Sequence, residues 1–296
     1  MLTGVKRALA GLILVAGCAE PSAIEKMSRL ERDVRFAVAR ACPGAQLSLW
    51  LAQADGHELL ALDADRPLPG ASTLKVLILV EGFAQEGEGT FRWTDSATMT
   101  ESDLVGGSGS FQNEKVGSSW TYLQYARRMI AESDNVASNI LLRRLGMKNV
   151  NERGRKLGLE VTRFERFFMD FRSRDREGKE NWTTAREMGR LLQSIYQRRI
   201  LTPEACDDMI AILERTSRGR IAAGVPPRIP VGHKSGSLAG LRHDVGWVRL
   251  PGQPYVLSVF LDRVRELPAG RDEDLGLAAI EAVARVVYEA MGPTDE

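Results

Sequence analysis

Residues 70–85 read Gly70-Ala71-Ser72-Thr73-Leu74-Lys75-Val76-Leu77-Ile78-Leu79-Val80-Glu81-Gly82-Phe83-Ala84-Gln85. The spacing predicts a helix over 72–85. Its long apolar run, 76–80, predicts that the helix is buried. Its entry carries a hydroxyl, Ser72, and an amine, Lys75, three positions apart, and one helical turn places such residues on a common face. Upstream, 46–53 and 57–63 read as strands around the turn Ala54-Asp55-Gly56, so the pair forms a hairpin. Before them, 22–40 reads as a helix broken by Pro43-Gly44. Downstream, 84–215 alternates helical stretches with polar loops and shows no hairpin; 122–132, 136–145 and 184–197 are its clearest helices. After Pro226-Pro227 strands return at 229–234, 245–250 and 255–262, followed by an amphipathic helix at 273–291. The expected fold is α/β: an antiparallel sheet flanked by helices, built from both chain ends (18–83 and 216–296), with a mostly helical inserted domain at 84–215.

Composition narrows the function classes. The chain has 296 residues, 40 Lys+Arg and 39 Asp+Glu. At this length a globular chain buries roughly 75% of its unfolded surface and needs no disulfide or metal to fold. A net charge of +1 gives no electrostatic reason to bind nucleic acid. Three cysteines and three histidines without paired spacing exclude zinc-ribbon and haem-attachment patterns. Gly106-Gly107-Ser108-Gly109-Ser110 lacks the Gly-Lys-Ser/Thr ending of a phosphate loop and reads as a flexible wall of a cleft. No cofactor and no metal are expected. Cys42 and Cys206, far apart in sequence, read as two unpaired thiols, although an oxidising compartment would allow a bond.

The first residues read as a targeting segment. Lys6 and Arg7 precede the apolar stretch 8–16, which is too short to span a bilayer core of ~30 Å. It ends Val15-Ala16-Gly17-Cys18, and two small residues before a cysteine resemble the lipobox of bacterial lipoproteins. That resemblance implies cleavage after residue 17, lipidation of Cys18, and an extracytoplasmic, membrane-anchored protein; an ordinary secretory peptide is the alternative. Cleavage there removes two cations and no acid, so the net charge passes from +1 to −1.

Three short motifs carry the chemistry. A serine hydroxyl such as that of Ser72 needs a base, and Lys75 can serve where burial and nearby cations lower its pKa. A helix N-terminus adds free N–H groups suited to an oxyanion. Ser133-Asp134-Asn135 falls between two helices, where Ser133 can relay a proton and Asn135 can bind a substrate amide. Lys234-Ser235-Gly236-Ser237 falls at the end of a strand. Lys234 supplies charge, Ser235 and Ser237 supply hydroxyls for a carboxylate, and Gly236 permits close backbone approach.

In this order and at these separations the motifs resemble the class A β-lactamases and the wider penicillin-binding serine enzymes. The resemblance covers nearly the whole chain after residue 17. It implies that Ser72 is acylated, Lys75 assists it, and Ser133 passes the proton to the departing nitrogen. It further implies that Asn135, Lys234, Ser235, Gly236 and Ser237 hold the substrate, with the Ser72 and Ser237 N–H groups as oxyanion donors. Arg220 and Arg242 both lie where such enzymes place a carboxylate-binding arginine. The implied partner is a β-lactam or a cell-wall peptide.

One stretch departs from the pattern. Class A enzymes carry a deacylating glutamate on a loop before a Thr-Thr pair. Here the register from Arg166 and Thr183-Thr184 puts Phe168 at that position and Arg172 where a helping asparagine belongs. Asn181 falls where the carboxylate partner of Arg166 is expected, which predicts a weakened loop closure. Asp170 is the candidate substitute base, ahead of Glu165 and Asp175. Losing a general base costs ~10²–10⁴ in rate. The expected function is a serine hydrolase with slow deacylation; the alternatives are a penicillin-binding or sensing lipoprotein without turnover and a D,D-peptidase. His243-Asp244 reads as a structural pair.

Overall fold

The computed structural model describes residues 23–216, 219–265 and 274–292; Cys18 and the segment before it lie outside them. The helices are α1 (Ala23–Ala41), α2 (Lys75–Gly87), α3 (Tyr122–Ala131), α4 (Asn135–Leu145), α5 (Met147–Lys156), α6 (Phe171–Glu177), α7 (Ala185–Tyr196), α8 (Pro203–Leu213) and α9 (Leu275–Met291). The strands are β1 (Gln46–Gln53), β2 (Glu58–Leu62), β3 (Leu68–Pro69), β4 (Ser96–Thr98), β5 (Ser119–Thr121), β6 (Trp182–Thr183), β7 (Val231–Leu238), β8 (Leu241–Val248) and β9 (Tyr255–Asp262).

Five of them form an antiparallel sheet in the order β2-β1-β9-β8-β7, so both chain ends supply it and β7 is an edge. Strand alternation divides its side chains between two cores. Leu49 and Leu51 of β1 face a core with Val34 of α1 and Val283 of α9. Trp50 and Ala52 face the opposite core, with Met188 and Leu192 of α7 and the helices beyond. Each fully buried aliphatic side chain contributes ~1.5–3 kcal/mol of transfer free energy. α2 is buried from Lys75 through Gln85, so its first residue lies deep between sheet and helices.

The structure shifts three expected elements. Residues Ala71–Leu74 form a 3-10 turn, and the α-helix starts only at Lys75. β7 runs through the whole Lys234–Ser237 motif, because an edge strand with small polar residues shows no hydrophobic alternation to read. The helical middle holds β4 and β5, paired with each other, and β6, paired with β3; at two or three residues each they are too short for a periodic signal.

Candidate active site

Ser72 is second in the 3-10 turn that closes onto β7. Its amide belongs to the first turn of a helix, where N–H groups have no intrahelical acceptor. Gly236 lies so close that a Cβ there would stand 3.0 Å from Ser72 N and 3.2 Å from Gly70 O. A side chain at 236 would push Ser72 away from the strand, which is why glycine occupies it. Ala71, just before Ser72, has φ +47°. Ser72 Oγ makes no hydrogen bond among the described residues.

Lys75 Nζ points instead at the Ser133-Asp134-Asn135 corner. It donates to Asn135 Oδ1 at 2.9 Å, to Ser133 Oγ at 3.2 Å and to Ser133 O. Asp134 builds the corner: its carboxylate caps α4 through Ala137 N and also holds Phe111 N, both at 2.8 Å. Ser133 is left-handed, φ +57°, which turns its Oγ into the cleft. Lys234 Nζ reaches the same Oγ at 3.0 Å and also bonds Ser235 O. Two ammonium groups that meet at one hydroxyl disfavour each other's charge. Burial, then the Lys234 charge, lowers Lys75 well below its ordinary value. Burial, then Arg220, brings Lys234 to about 7. Lys75 is thereby pushed toward its neutral form, and Ser133 Oγ stands between it and Lys234. The glycine-rich segment is a wall tied to this corner rather than a free flap: Ser108 O accepts from Asn135 N and Gly106 O from Asn135 Nδ2.

The two arginines separate. Arg220 donates to Gly236 O, His243 O and Ser237 Oγ, which places its guanidinium on the motif strand beside Ser237. Arg242 is spent elsewhere, on Asp274 at 2.6 Å and on Leu238 O and Leu241 O, closing the β7–β8 turn against the start of α9. The expected His243–Asp244 pair is not formed, because consecutive strand residues point to opposite faces. His243 stacks on Phe260 and bonds Pro69 O, and burial lowers it to about 4. Asp244 pairs with His233 across the sheet at 2.9 Å.

The loop 162–181 closes the site from below. The Phe168 ring centroid lies 4.7 Å from Lys75 Nζ, and the residue is 7% exposed. Its backbone is clamped by Asn139, which accepts from Phe168 N and donates to Phe168 O. The sequence reading missed Asn139, although its position four residues after Asn135 puts both on one face of α4. Asp170 caps α6, its two oxygens taken by Ser173 N at 3.1 Å and Ser173 Oγ at 2.6 Å. Those bonds hold its carboxyl below the usual range. Each carboxylate oxygen is thus engaged in the α6 cap. Glu165 is paired with Arg163 and Asp175 with Arg174. The loop closure is not weakened: Arg166 pairs with Glu180, one residue before the expected position, at 2.7 Å in a buried setting, while Asn181 bonds Arg166 N and O. Cys42 and Cys206 are buried free thiols.

Of seven non-glycine residues with positive φ among the described residues, four adjoin this cleft: Ala71, Ser133, Met169 and Arg220. Such conformations cost ~1–3 kcal/mol each and cluster where a site demands them.

A serine on a turn, with a buried lysine one turn on and a second serine hydroxyl between two lysines, fits a β-lactamase-like serine hydrolase. Residues 29–291 match the β-lactamase enzyme family, and the chain belongs to it. A β-lactamase of Bacillus licheniformis is 27% identical over 289 residues, 94% of this chain and 92% of its own. The crystal structure of a β-lactamase from Sphaerobacter thermophilus superposes with TM-score 0.80 at 27% identity, covering 90% of this chain and 99% of that one. PBP-A superposes with TM-score 0.78 at 30% identity, covering 89% and 96%. A leucine-to-glutamate mutant of PBP-A is an acyl-enzyme complex with penicillin G.

Proposed function

We propose that β-lactams acylate Ser72 and that the acyl-enzyme is released slowly. The observation that carries this reading is Phe168, an aromatic ring against Lys75 with no free carboxylate on the loop beside it. Lys75 takes the Ser72 proton as Oγ attacks the lactam carbonyl. The Ser72 and Ser237 N–H groups receive the oxyanion. Ser133 delivers a proton to the departing nitrogen. Asn135 holds the side-chain amide; Lys234, Ser235 and Arg220 hold the carboxylate. Hydrolysis of the ester then needs an aligned water and a base. An apolar ring excludes water, and Asp170 is engaged by Ser173. The penicillin G acyl-enzyme of a PBP-A mutant supports the ligand class. Intact-mass spectrometry after mixing with penicillin G tests the reading. The expected result is a long-lived single adduct on Ser72; rapid return to unmodified protein with multiple turnovers overturns it.

The sequence around Cys18 supports an extracytoplasmic address with a lipid anchor. Three acyl chains exceed the two needed for stable anchoring. Cys18→Ala should release the protein from the membrane fraction; a variant that still sediments with membranes overturns the anchor.

A further inference from the structure

Beneath the carboxylate-binding edge lies a carboxylate that the mechanism does not use. Asp244 is fully buried, on β8, in register with Ser235 of the motif strand. Both its oxygens lie within 3.0 Å of His233 Nδ1. Its Oδ2 also accepts from Ile221 N at 3.1 Å. Ile221 directly follows Arg220, whose φ of +56° is a conformation that an unpinned arginine would leave. Asp244 thus holds the backbone on one side of Arg220, while Gly236 O, His243 O and Ser237 Oγ hold the guanidinium on the other.

Charge points the same way. The Arg220 guanidinium, half-buried, has only carbonyl and hydroxyl acceptors in direct contact, and a partly desolvated cation gains from an anion nearby. Asp244 is the foremost carboxylate whose charge favours the protonated guanidinium, opposing the burial that pulls it down. Arg242, the other nearby arginine, is already paired with Asp274. A buried acid that fixes the backbone beside one arginine and attracts its charge acts through that arginine.

We infer that Asp244, oriented by His233, is a positioning residue that keeps Arg220 aimed at the substrate carboxylate, so that it sets the preference for anionic over neutral acyl donors. The inference rests on the proposed acylation of Ser72 and on Arg220 facing the substrate. The experiment compares second-order acylation rates for penicillin G and for its methyl ester, which lacks the negative charge. In Asp244→Ala the penicillin-to-ester rate ratio should fall about tenfold, the scale of leaving the Ile221 N–H beside Arg220 without its acceptor. In an Arg220→Ala background the same substitution should leave the ratio where Arg220→Ala alone put it, because coupled residues are not additive. Equal slowing of both acyl donors, or an undiminished effect without Arg220, overturns the inference. Asp244→Asn, close in shape, decides the matter if Asp244→Ala does not fold; its ratio should fall about threefold, since an acceptor remains for Ile221 N–H but the charge is gone. A crystal structure of the variant reads the same point without any acyl donor. The Arg220 guanidinium should leave Gly236 O and His243 O; an unmoved guanidinium overturns the inference. Failure of the wild-type protein to acylate would instead overturn the proposed function, and the crystallographic result would still stand or fall by itself.

Discussion

Two halves of the cleft are built to different standards. At the Ser133 corner Lys75 of α2, Ser133, Asn135 of α4 and Lys234 of β7 converge, joined by hydrogen bonds through the two ammonium groups. The loop 162–181 is equally well anchored, through Asn139, the Arg166–Glu180 pair and Glu187, which accepts from the amides of Val161 and Thr162. What it presents to Lys75, however, is a hydrocarbon ring. Precise placement and catalytic competence are separate properties: this loop has the first, and what it places cannot accept a proton.

The comparison can be broken most directly at the nucleophile. Ser72→Ala should abolish labelling by a fluorescent penicillin; full labelling, or an adduct mapped to Ser133, would dissolve the acylation half. Lys75→Met should lower the acylation rate by ~10²–10⁴, the usual contribution of a positioned base. Stopped-flow acylation measures it, and a loss under threefold would remove Lys75 from that role.

Replacing the ring sharpens the contrast. Phe168→Glu should speed deacylation, by up to ~10² if a water finds a place, with little change in burst amplitude. A new carboxylate beside Lys75 will also raise the lysine's pKa, so the acidic limb of acylation should move to higher pH. Pre-steady-state traces at several pH values separate the two effects.

A smaller effect follows from Lys234, whose pKa of about 7 is depressed. It carries its charge below that value and loses it above. For a carboxylate-bearing penicillin, kcat/KM should therefore fall as pH rises through about 7, while the methyl ester shows no such limb. Linkage runs in the other direction for stability. The unfolded lysine keeps its proton up to its ordinary value of 10.5, so between about 7 and 10.5 the unfolded chain binds more protons and this residue's contribution to stability rises with pH. The smallest change is expected at Asp170. Asp170→Asn should alter steady-state turnover less than about twofold, because asparagine is as good a helix cap as aspartate. A tenfold fall would reinstate Asp170 as the base.

Much of the acylation half was legible because its information is local. Ser72 and Lys75 are one turn apart, Ser133 and Asn135 share one corner, and Lys234 to Ser237 share one strand. The strands β1 and β9 were also read to the residue, since buried alternation and flanking turns mark them. The choice between Arg220 and Arg242 was not legible, because it depends on Asp274 claiming Arg242 from another element. Nor could sequence register resolve Glu180 from Asn181 as the partner of Arg166, adjacent residues that divide the task between charge and backbone. The 3-10 turn at Ser72 was hidden for a related reason: the left-handed Ala71 has no side-chain signature, and tertiary contact with Gly236 imposes it.

The four left-handed residues around the cleft bear on how this protein can change over generations. At each of them a glycine would relieve backbone strain, and Ala71→Gly is a small step. A population selected for heat tolerance alone would find such replacements early. It would lose by them the restraints that aim Ser72 and Phe168. Selection for robustness and selection for chemistry therefore pull on the same four positions.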